Sequence, residues 1–351
     1  MGYQHWHFTK DKEGTAWLEI DVKDSSVNIL RAEVMQEWAE IMKEVAADSS
    51  LTGLCMVSGK PGGFVYGADI AEFNTLASEA DVHNLIALAA SVLLAIEKLD
   101  IPTVCGIDGV AVGGGLEIAL PFDRIVGVGQ RHTKLGFPEI NLGIFPGYGG
   151  TGRALRRVGI KTTLDMVLSG RLLGAEEALS YQLIDRLADD PNSLRNIMRE
   201  ELVNPRNPDR VEGDAEFTAA LEAAEEDYCS SAIEAATPAP FEIIQHFKRS
   251  GGDWRKLVTS EGKAFAPLLL GEASYHLRRV FLINDAVRKT ARGDSQISHV
   301  HVIGAGTMGG DIAAVAALNG FSVSLSDREA SAVEKAVLRA TSLFERRLKT
   351  D

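Results

Sequence analysis

The chain has 351 residues, of which 45% are hydrophobic and 24% charged, and its formal net charge is −13. These values predict a globular protein with two domains, or with one large domain and an extension. The acidic charge argues against a nucleic-acid partner, because such proteins need a basic surface to neutralise phosphates.

The cysteines and the N-terminus indicate the compartment. Cys55, Cys105 and Cys229 are odd in number and widely spaced, so we expect no disulfide framework and a cytoplasmic location. The N-terminal residues lack the apolar segment of a signal peptide, and no apolar run approaches the ~20 residues of a membrane-spanning helix. The histidines form no cluster, so no metal site is predicted.

Strand and helix patterns alternate over the first 190 residues, which is typical of an α/β fold. Strands are predicted at residues 3–9, 14–22, 51–58, 102–107 and 123–128. Helices are predicted at residues 31–46, 81–99, 149–158, 160–169 and 174–181. Residues 191–214 are polar and contain three prolines, which predicts a linker or an exposed segment. Residues 215–292 are alanine-rich and have a helical pattern without convincing strands.

A first glycine motif, Phe-Val-Tyr-Gly-Ala-Asp-Ile at residues 64–70, follows the third predicted strand and a loop. Gly67 permits backbone geometries that residues with a Cβ resist. The small Ala68 lets a ligand approach the main chain, and its N–H group is a candidate donor to a ligand oxygen. Taken alone, the motif is more often a tight turn that leads into a helix capped near Asp69.

A second motif occupies residues 107–117, where a strand runs into Gly113, Gly114 and Gly115 and then into a helix that contains Glu117. Bare backbone N–H groups at a helix N-terminus favour negative charge, and they can form an oxyanion hole for a thioester carbonyl that becomes an enolate. By itself, Glu117 is equally well a helix-start carboxylate that complements the helix dipole.

A third motif occupies the glycine-rich residues 135–151, in which Glu139 stands between Pro138 and Ile140. An apolar neighbourhood raises the pKa of a carboxyl group and makes it a usable acid near neutral pH. By itself, an exposed loop glutamate beside a proline is the more frequent interpretation.

Together and in this order, the three motifs resemble those of the crotonase (enoyl-CoA hydratase/isomerase) superfamily. Within it, the chain resembles the multifunctional fatty-acid oxidation enzymes, in which a hydratase domain precedes a 3-hydroxyacyl-CoA dehydrogenase domain. The resemblance implies a crotonase-like spiral of ββα units, a helical extension and an incomplete Rossmann-type βαβ segment. The implied domain limits are residues 1–190, 191–296 and 297–351.

The resemblance also implies a role for each matching residue. Glu117 and Glu139 would be the two catalytic glutamates, and the N–H groups of Ala68 and Gly114 would form the oxyanion hole. We expect Glu117 to be the base that holds the water and Glu139 to donate the proton, or the two roles to be shared or exchanged, because both groups can hold the same water. The residues expected to bind the CoA part of the substrate are Tyr66, Gly67, Ala68, Asp69, Ile70 and Gly113. Tyr66 departs from the family pattern, because that site usually carries a small residue.

Two carboxyl groups suit the hydration of an enoyl thioester, which needs a base for the water, a proton for C2 and donors to the carbonyl oxygen. No cofactor is required beyond the CoA of the substrate. A Δ3–Δ2 enoyl-CoA isomerase needs one proton shuttle, so both glutamates favour a hydratase without excluding isomerisation as a second activity. A non-catalytic CoA-binding or assembly module is the remaining alternative.

A separate glycine motif lies near the C-terminus: Gly304, Gly306 and Gly309 follow a predicted strand, and Asp327 ends the next one. This order predicts the start of an NAD-binding domain, with Asp327 at the adenosine ribose. A doubly wound sheet has about six strands and only two are present here. We therefore expect no dehydrogenase activity from this polypeptide, and NAD would serve a longer parent protein. By resemblance, a homotrimer or a thiolase subunit is the expected protein partner.

Overall fold

The computed structural model describes residues 2–348, apart from residues 62, 131, 205, 207–208, 211–212, 230–235 and 291–295. The chain forms two compact units that divide between Ile283 and Asn284. The three domain limits expected above are not tested by this division and stay a prediction.

Within the described residues, the elements are numbered in chain order. The strands are β1 (Trp6–Lys10), β2 (Thr15–Ile20), β3 (Gly53–Ser58), β4 (Gly63–Val65), β5 (Thr103–Ile107), β6 (Val110–Val112), β7 (Arg124–Val128), β8 (Lys134–Gly136), β9 (Leu172–Gly174), β10 (Arg186–Ala188), β11 (His299–Ile303) and β12 (Ser322–Ser326). The helices are α1 (Ala32–Ala47), α2 (Ile70–Phe73), α3 (Glu79–Glu97), α4 (Gly114–Glu117), a 3-10 helix (Pro138–Leu142), α5 (Gly150–Ser169), α6 (Ala175–Ser180), α7 (Pro191–Glu201), α8 (Asp214–Tyr228), α9 (Ala239–Ser250), α10 (Trp254–Leu270), α11 (Glu272–Thr290), α12 (Thr307–Leu318) and α13 (Ala330–Leu348).

Two sheets organise the first unit. The larger has the order β1-β2-β3-β5-β7-β10, and the smaller has the order β4-β6-β8-β9. Successive strands alternate between them, so that β3, β5 and β7 enter the large sheet and β4, β6 and β8 enter the small one before the chain turns to helix. This repeated strand-strand-helix path is the spiral of ββα units that the sequence predicted. The three passes bring the ends of β4, β6 and β8 to one edge.

Apolar spacing explains the helices around the sheets. Helix α1 buries Val34, Trp38, Ile41 and Val45 on one face, as its 3.6-residue periodicity predicts. Helix α5 is interrupted at Gly159, which has a φ of 82°, so the two helices predicted on either side of this residue are present as two segments separated by a kink.

The prediction that residues 191–214 are a linker or an exposed segment is wrong for its first half. Residues 191–201 form α7, whose buried Leu194 and Met198 lie in a second apolar cluster on the large sheet. Pro191 is compatible with this helix because the first turn needs no backbone donor. The Asp190 side chain accepts the N–H groups of residues 192 and 193 and fixes the helix start.

Helix α3 corrects the expectation that no apolar run approaches membrane length. It has 19 residues and a mean hydropathy of 1.5 over its best window, so it is long and apolar enough to cross a bilayer by length and composition. Val82, Ala89, Leu93 and Ile96 are nevertheless buried in the main core of the unit. Contacts with α1 and α10 account for this burial.

In the second unit, β11 and β12 pair in parallel from His299↔Ser322 to Ile303↔Ser326, and α12 connects them. This is the short βαβ segment expected from the C-terminal glycine motif at residues 304–309. Helix α13 contacts α12.

Candidate active site

The first and second glycine motifs meet at the edge where β4 and β6 end. A Cβ atom on Gly115 would lie 2.1 Å from the carbonyl oxygen of Val65, so only glycine allows the two segments to approach this closely. A Cβ atom on Gly114 would lie 3.5 Å from the backbone nitrogen of Ala68. The backbone N–H groups of Ala68 and Gly114 therefore lie side by side.

Both N–H groups lack a partner in the part of the chain that the structure describes. The neighbouring groups are bonded, since Asp69 N–H donates to Leu30 O at 2.9 Å and Gly113 N–H donates to Gly136 O at 2.9 Å. Ala68 and Gly114 both line a pocket. Two unpaired backbone donors at a pocket wall are the arrangement needed to hold an oxygen that gains negative charge.

Glu117 ends the short helix α4 and is 2% exposed. Its Oε1 accepts hydrogen bonds from Tyr148 N–H at 2.7 Å and from Gly150 N–H at 2.8 Å. Burial raises the pKa of the Glu117 carboxyl to about 7, and these two backbone donors keep it from rising further. Near neutral pH this carboxyl group therefore exchanges a proton readily.

Glu139 lies in the 3-10 helix, opposite the glycine turn. A Cβ atom on Gly113 would lie 2.8 Å from its Oε1, and the φ of Gly113 is +55°, so this position requires glycine. The Oε2 atom is shielded from solvent and has no hydrogen-bond partner among the described residues. Burial, and then the charge of Glu117, raise the pKa of Glu139 well above its ordinary value. The protonated form of this carboxyl group is therefore favoured.

An apolar pocket joins these groups. Glu117 and Glu139 line it together with Ala68, Gly113 and Gly114, so the three sequence motifs meet in one cavity. The apolar lining side chains include Phe73, Leu85, Ile86, Leu142, Phe145 and Phe265.

Five of the six residues expected to bind CoA line the pocket in the structure. Tyr66, Gly67, Ala68, Ile70 and Gly113 line the pocket, and Tyr66 is 41% exposed at its margin. Asp69 is absent from the lining. Its carboxylate accepts the Ala71 N–H group at the start of α2 and pairs with Arg31 at 2.9 Å.

The sequence motifs missed a third buried carboxyl group, that of Glu261 on α10, which is 0% exposed. It accepts the N–H groups of Gly149 at 2.7 Å, Gly150 at 3.1 Å and Thr151 at 3.2 Å. The sequence does indicate this buried carboxyl group, because Glu261 falls on the apolar stripe of its helix between Leu257 and Phe265. An acidic residue on a buried stripe needs a partner, and the N-terminus of α5 supplies one.

A buried ion pair between Arg153 and Glu97 stabilises the segment around Tyr148. Arg153 is 1% exposed and its Nε and Nη2 atoms donate to both oxygens of Glu97, at 3.2 and 3.1 Å. Its Nη1 donates to Tyr148 O at 2.7 Å. Burial alone would raise the pKa of Glu97, but the charge of Arg153 holds it below its ordinary value. Arg153 thus fixes the peptide segment whose N–H group binds Glu117.

The C-terminal glycine motif, at residues 304–309, forms a tight turn in the second unit. Gly304 has a φ of +100°, and a Cβ atom on Gly309 would lie 1.8 Å from the carbonyl oxygen of Gly304. Gly306 precedes α12 directly. The Asp327 carboxylate accepts the Ala305 N–H group at 2.6 Å, and backbone donors hold its pKa below the ordinary value. Strand, glycine turn, helix and acidic strand end have the arrangement that holds a dinucleotide.

The sequence profile described as "Enoyl-CoA hydratase/isomerase" matches residues 12–207, more than half of the chain. The chain belongs to the enoyl-CoA hydratase/isomerase family. A second profile, "3-hydroxyacyl-CoA dehydrogenase, NAD binding domain", matches residues 299–351, so this family member also carries part of an NAD-binding domain.

Curated proteins are similar to this chain over both the hydratase/isomerase region and the NAD-binding region. The fatty acid oxidation complex subunit alpha of Shewanella halifaxensis is 34% identical over 325 residues, which cover 88% of this chain and 46% of the relative. The subunit alpha of Shewanella loihica is 33% identical over 323 residues, which cover 86% of this chain and 45% of the relative. The chain thus spans about half the length of the curated relatives it matches.

Solved structures of the family share the fold. An enoyl-CoA hydratase from Bacillus halodurans matches with a TM-score of 0.60 at 18% identity, over 79% of this chain and 99% of that one. An enoyl-CoA hydratase/isomerase from Mycobacterium paratuberculosis matches with a TM-score of 0.59 at 15% identity, over 79% of this chain and 98% of that one.

Proposed function

We propose that this chain is an enoyl-CoA hydratase, which adds water to a trans-2-enoyl-CoA to give a 3-hydroxyacyl-CoA in fatty-acid β-oxidation. One observation carries the proposal: the carboxyl groups of Glu117 and Glu139, and the backbone donors of Ala68 and Gly114 that lack a partner among the described residues, line one apolar pocket. The relatives that extend over both regions support the same pathway.

In the proposed reaction, the Glu117 carboxylate takes a proton from water while the water oxygen bonds to C3 of the substrate. Glu139 gives its proton to C2, so that one water molecule is added in total. The thioester oxygen carries negative charge in between, and the N–H groups of Ala68 and Gly114 stabilise it. The proton then passes from Glu117 to Glu139 to restore the starting state.

The pKa values of the two carboxyl groups support this assignment of roles. Burial raises the pKa of Glu117 to about 7, so an ionised base is present at neutral pH. The pKa of Glu139 is raised well above its ordinary value, first by burial and then by the charge of Glu117, so its protonated form is favoured next to the base. Separated pKa values in one site are the usual mark of an acid and base pair.

The test is the hydration of crotonyl-CoA and of a longer enoyl-CoA by the purified chain, followed as loss of enoyl-thioester absorbance. Glu117→Gln and Glu139→Gln should each lower kcat by at least about 10²-fold, the lower range for general acid–base groups. Glu201→Gln is the matched control, because this carboxyl is also buried but lies outside the pocket in an ion pair with Arg124. An inert parent chain, or unchanged glutamine variants, would refute the proposal.

A Δ3–Δ2 enoyl-CoA isomerase is the second candidate. One proton shuttle suffices for it, so one of the two glutamine variants should keep turning over a 3-enoyl-CoA after losing hydration. A non-catalytic CoA-binding module is the third, and it would bind crotonyl-CoA by calorimetry without turnover in either assay. The presence of both carboxyl groups in one pocket favours hydration.

The cofactor of the longer protein, the protein partner and the cellular location are also proposals. A longer parent protein would use NAD as hydride acceptor in a 3-hydroxyacyl-CoA dehydrogenase, and Gly304, Gly306, Gly309 and Asp327 would begin its NAD site. A homotrimer or a thiolase subunit is the proposed protein partner. The buried free thiols of Cys55 and Cys105 support a reducing, cytoplasmic location.

A further inference from the structure

Three buried phenylalanine rings form one wall of the pocket. Phe73 comes from α2, Phe145 from the loop before α5, and Phe265 from α10. The Phe265 ring packs edge-on against the other two, with its centroid 6.4 Å from that of Phe73 and 6.3 Å from that of Phe145. Edge-to-face pairs of this kind are favourable, so the three rings hold one another in place.

The Phe265 ring also lies against the main chain. A Cβ atom on Gly147 would lie 3.3 Å from this ring, so the absence of a side chain at Gly147 lets the ring reach the backbone. One turn earlier on α10, a Cβ atom on Gly262 would lie 3.3 Å from Ile86, so α10 lies close to α3 as well. Residues three apart share a helix face, and Phe265 therefore points into the space between these segments.

Glu261 fixes this turn of α10 to the start of α5. Its carboxyl group accepts the N–H groups of Gly149 at 2.7 Å, Gly150 at 3.1 Å and Thr151 at 3.2 Å. Residues four apart lie one above the other on a helix, so these bonds are on the same face as Phe265. A rotation of the ring out of the pocket would have to displace close-packed groups on several sides.

The acyl tail of a bound enoyl-CoA would run towards this wall. In the proposed reaction the thioester oxygen lies at the two backbone donors, and C2 and C3 lie at the two pocket carboxyl groups. The CoA part has to remain at the exposed margin near Tyr66, because burial of its charged phosphates in an apolar cavity would be costly. Gly147, on which the Phe265 ring lies, directly precedes Tyr148, whose N–H group donates to Glu117. The ring therefore lies just beyond the carbons that react.

The volume of the pocket limits the length of that tail. The cavity has a volume of about 90 Å³. For comparison, an apolar cavity of about 150 Å³ admits one benzene ring. The thioester carbonyl, C2 and C3 already occupy part of the space, so the pocket has room for only about one to three further carbons.

We propose that Phe265 ends the acyl pocket and makes this chain selective for short 2-enoyl-CoA thioesters, with acyl chains of about four to six carbons. This specificity deepens the proposed hydration and rests on it. Phe265 is outside residues 12–207, the region matched by the hydratase/isomerase profile, so the limit on acyl length comes from the helical extension. A longer chain would have to displace the ring or leave its methylene groups in water.

The test compares kcat/KM for crotonyl-CoA, which has four acyl carbons, with kcat/KM for trans-2-decenoyl-CoA, which has ten, in the parent and in Phe265→Ala. The parent should prefer crotonyl-CoA. Phe265→Ala removes the ring from the wall, and the decenoyl-to-crotonyl ratio should rise by at least about tenfold, the lower value for one methylene group in an apolar pocket. A parent that prefers decenoyl-CoA, or a folded Phe265→Ala variant with the parent's ratio, would overturn the proposal.

Phe265→Leu serves as a second variant if Phe265→Ala does not fold. Leucine keeps part of the wall, so the ratio should rise by less than in the alanine variant, and an unchanged ratio counts against the proposal. Phe247→Ala is the matched control, because Phe247 is a fully buried phenylalanine of α9 in the same extension and does not line the pocket. It should lower the urea midpoint and keep the parent's ratio. An equal shift in this control would assign the change to loss of packing in the extension and would overturn the role of Phe265.

Calorimetry separates this proposal from the proposed function. Butyryl-CoA and decanoyl-CoA lack the double bond and cannot be hydrated, so their binding reports on the pocket alone. The parent should bind butyryl-CoA at least as tightly as decanoyl-CoA. Phe265→Ala should bind decanoyl-CoA more tightly than the parent does, by about fourfold for each methylene group that enters the opened space.

The two proposals can therefore fail separately. A parent with this binding preference that hydrates no enoyl-CoA would refute hydration and leave the limit on acyl length in place. A parent that hydrates both enoyl-CoA chains equally would support hydration and overturn the limit. A parent that binds neither acyl-CoA would overturn both.

Discussion

Glu117 and Glu261 accept hydrogen bonds from the same backbone N–H group, that of Gly150, although they are 144 residues apart. One comes from the short helix after the glycine motif and the other from a helix of the extension. The extension also lines the pocket through Phe265. The following outcomes are expected from these buried groups.

Replacing Gly113 by alanine should disable the site while the fold persists. A Cβ atom there would lie 2.8 Å from Glu139 Oε1, and the φ of +55° is costly for a residue with a side chain. Because displacement of a reacting group by about 1 Å can cost 10²-fold, we expect kcat for crotonyl-CoA to fall by about that factor. Gly129→Ala is the control, since its Cβ would meet only an ordinary contact at 3.5 Å. Equal activity of the two variants would contradict the geometry.

Hydration should depend on pH with an acidic limb near pH 7. Below this value Glu117 becomes protonated and cannot take a proton from water, so kcat/KM should fall about tenfold per pH unit. An alkaline limb should appear at higher pH, where Glu139 loses the proton it donates. The measurement is kcat/KM for crotonyl-CoA from pH 5 to 9. A rate that stays constant from pH 5 to 8 would exclude Glu117 as the base.

Folding stability should decrease as pH rises from about 6.5 to 8. The pKa of Glu261 is about 8 in the folded chain and near 4.5 when unfolded, so the folded state holds a proton that the unfolded state has lost. Its stabilising contribution is complete below about pH 4.5 and is lost as pH passes 8. Each such carboxyl lowers the free energy of unfolding by about 1.4 kcal/mol per pH unit within its window.

Urea unfolding at half-unit pH steps measures this effect. Acids whose pKa is lowered, such as Glu97 and Asp11, titrate at or below pH 4.5 and contribute no slope above it. His246, with its lowered pKa of about 4, adds an opposite slope only below about pH 6.5. The slope between pH 6.5 and 8 should become shallower in Glu261→Gln. A parent chain whose stability is flat over this range would contradict the prediction.

Arg153→Met should destabilise the chain and reduce hydration together. It removes one of the two arginines that pair with the Glu97 carboxylate, Arg156 being the other, and it removes the donor to Tyr148 O. Loss of one partner from a buried pair costs about 3–5 kcal/mol in the free energy of unfolding. Arg249→Met is the control, because its pair with Glu242 is half exposed and such pairs contribute about 1 kcal/mol or less. Similar urea midpoints for the two variants would show that the pair is not structural.

The sequence by itself determined the local features. Helix α1 follows from the 3.6-residue spacing of its apolar residues, and the two turns at residues 64–70 and 107–117 follow from glycines at positions where a Cβ has no room. The helix and the turns depend on neighbours within a few residues, which a sequence displays directly. The ββα spiral and the two pocket glutamates were implied by the resemblance that the order of the three motifs carries.

Only the tertiary structure decided which distant groups share an environment. Residues 191–201 are polar on average, but they form a helix because one face, with Leu194 and Met198, is buried on the large sheet. Glu261 and Arg153 stand in helical segments with no motif around them, and their importance comes from desolvation and from charges supplied by other segments. Burial and Coulomb interactions depend on distances through space. The pKa of Glu117 is therefore decided by burial and by groups as far along the chain as Arg153, and the pKa of Glu261 by burial and by the charge of Glu117, 144 positions away.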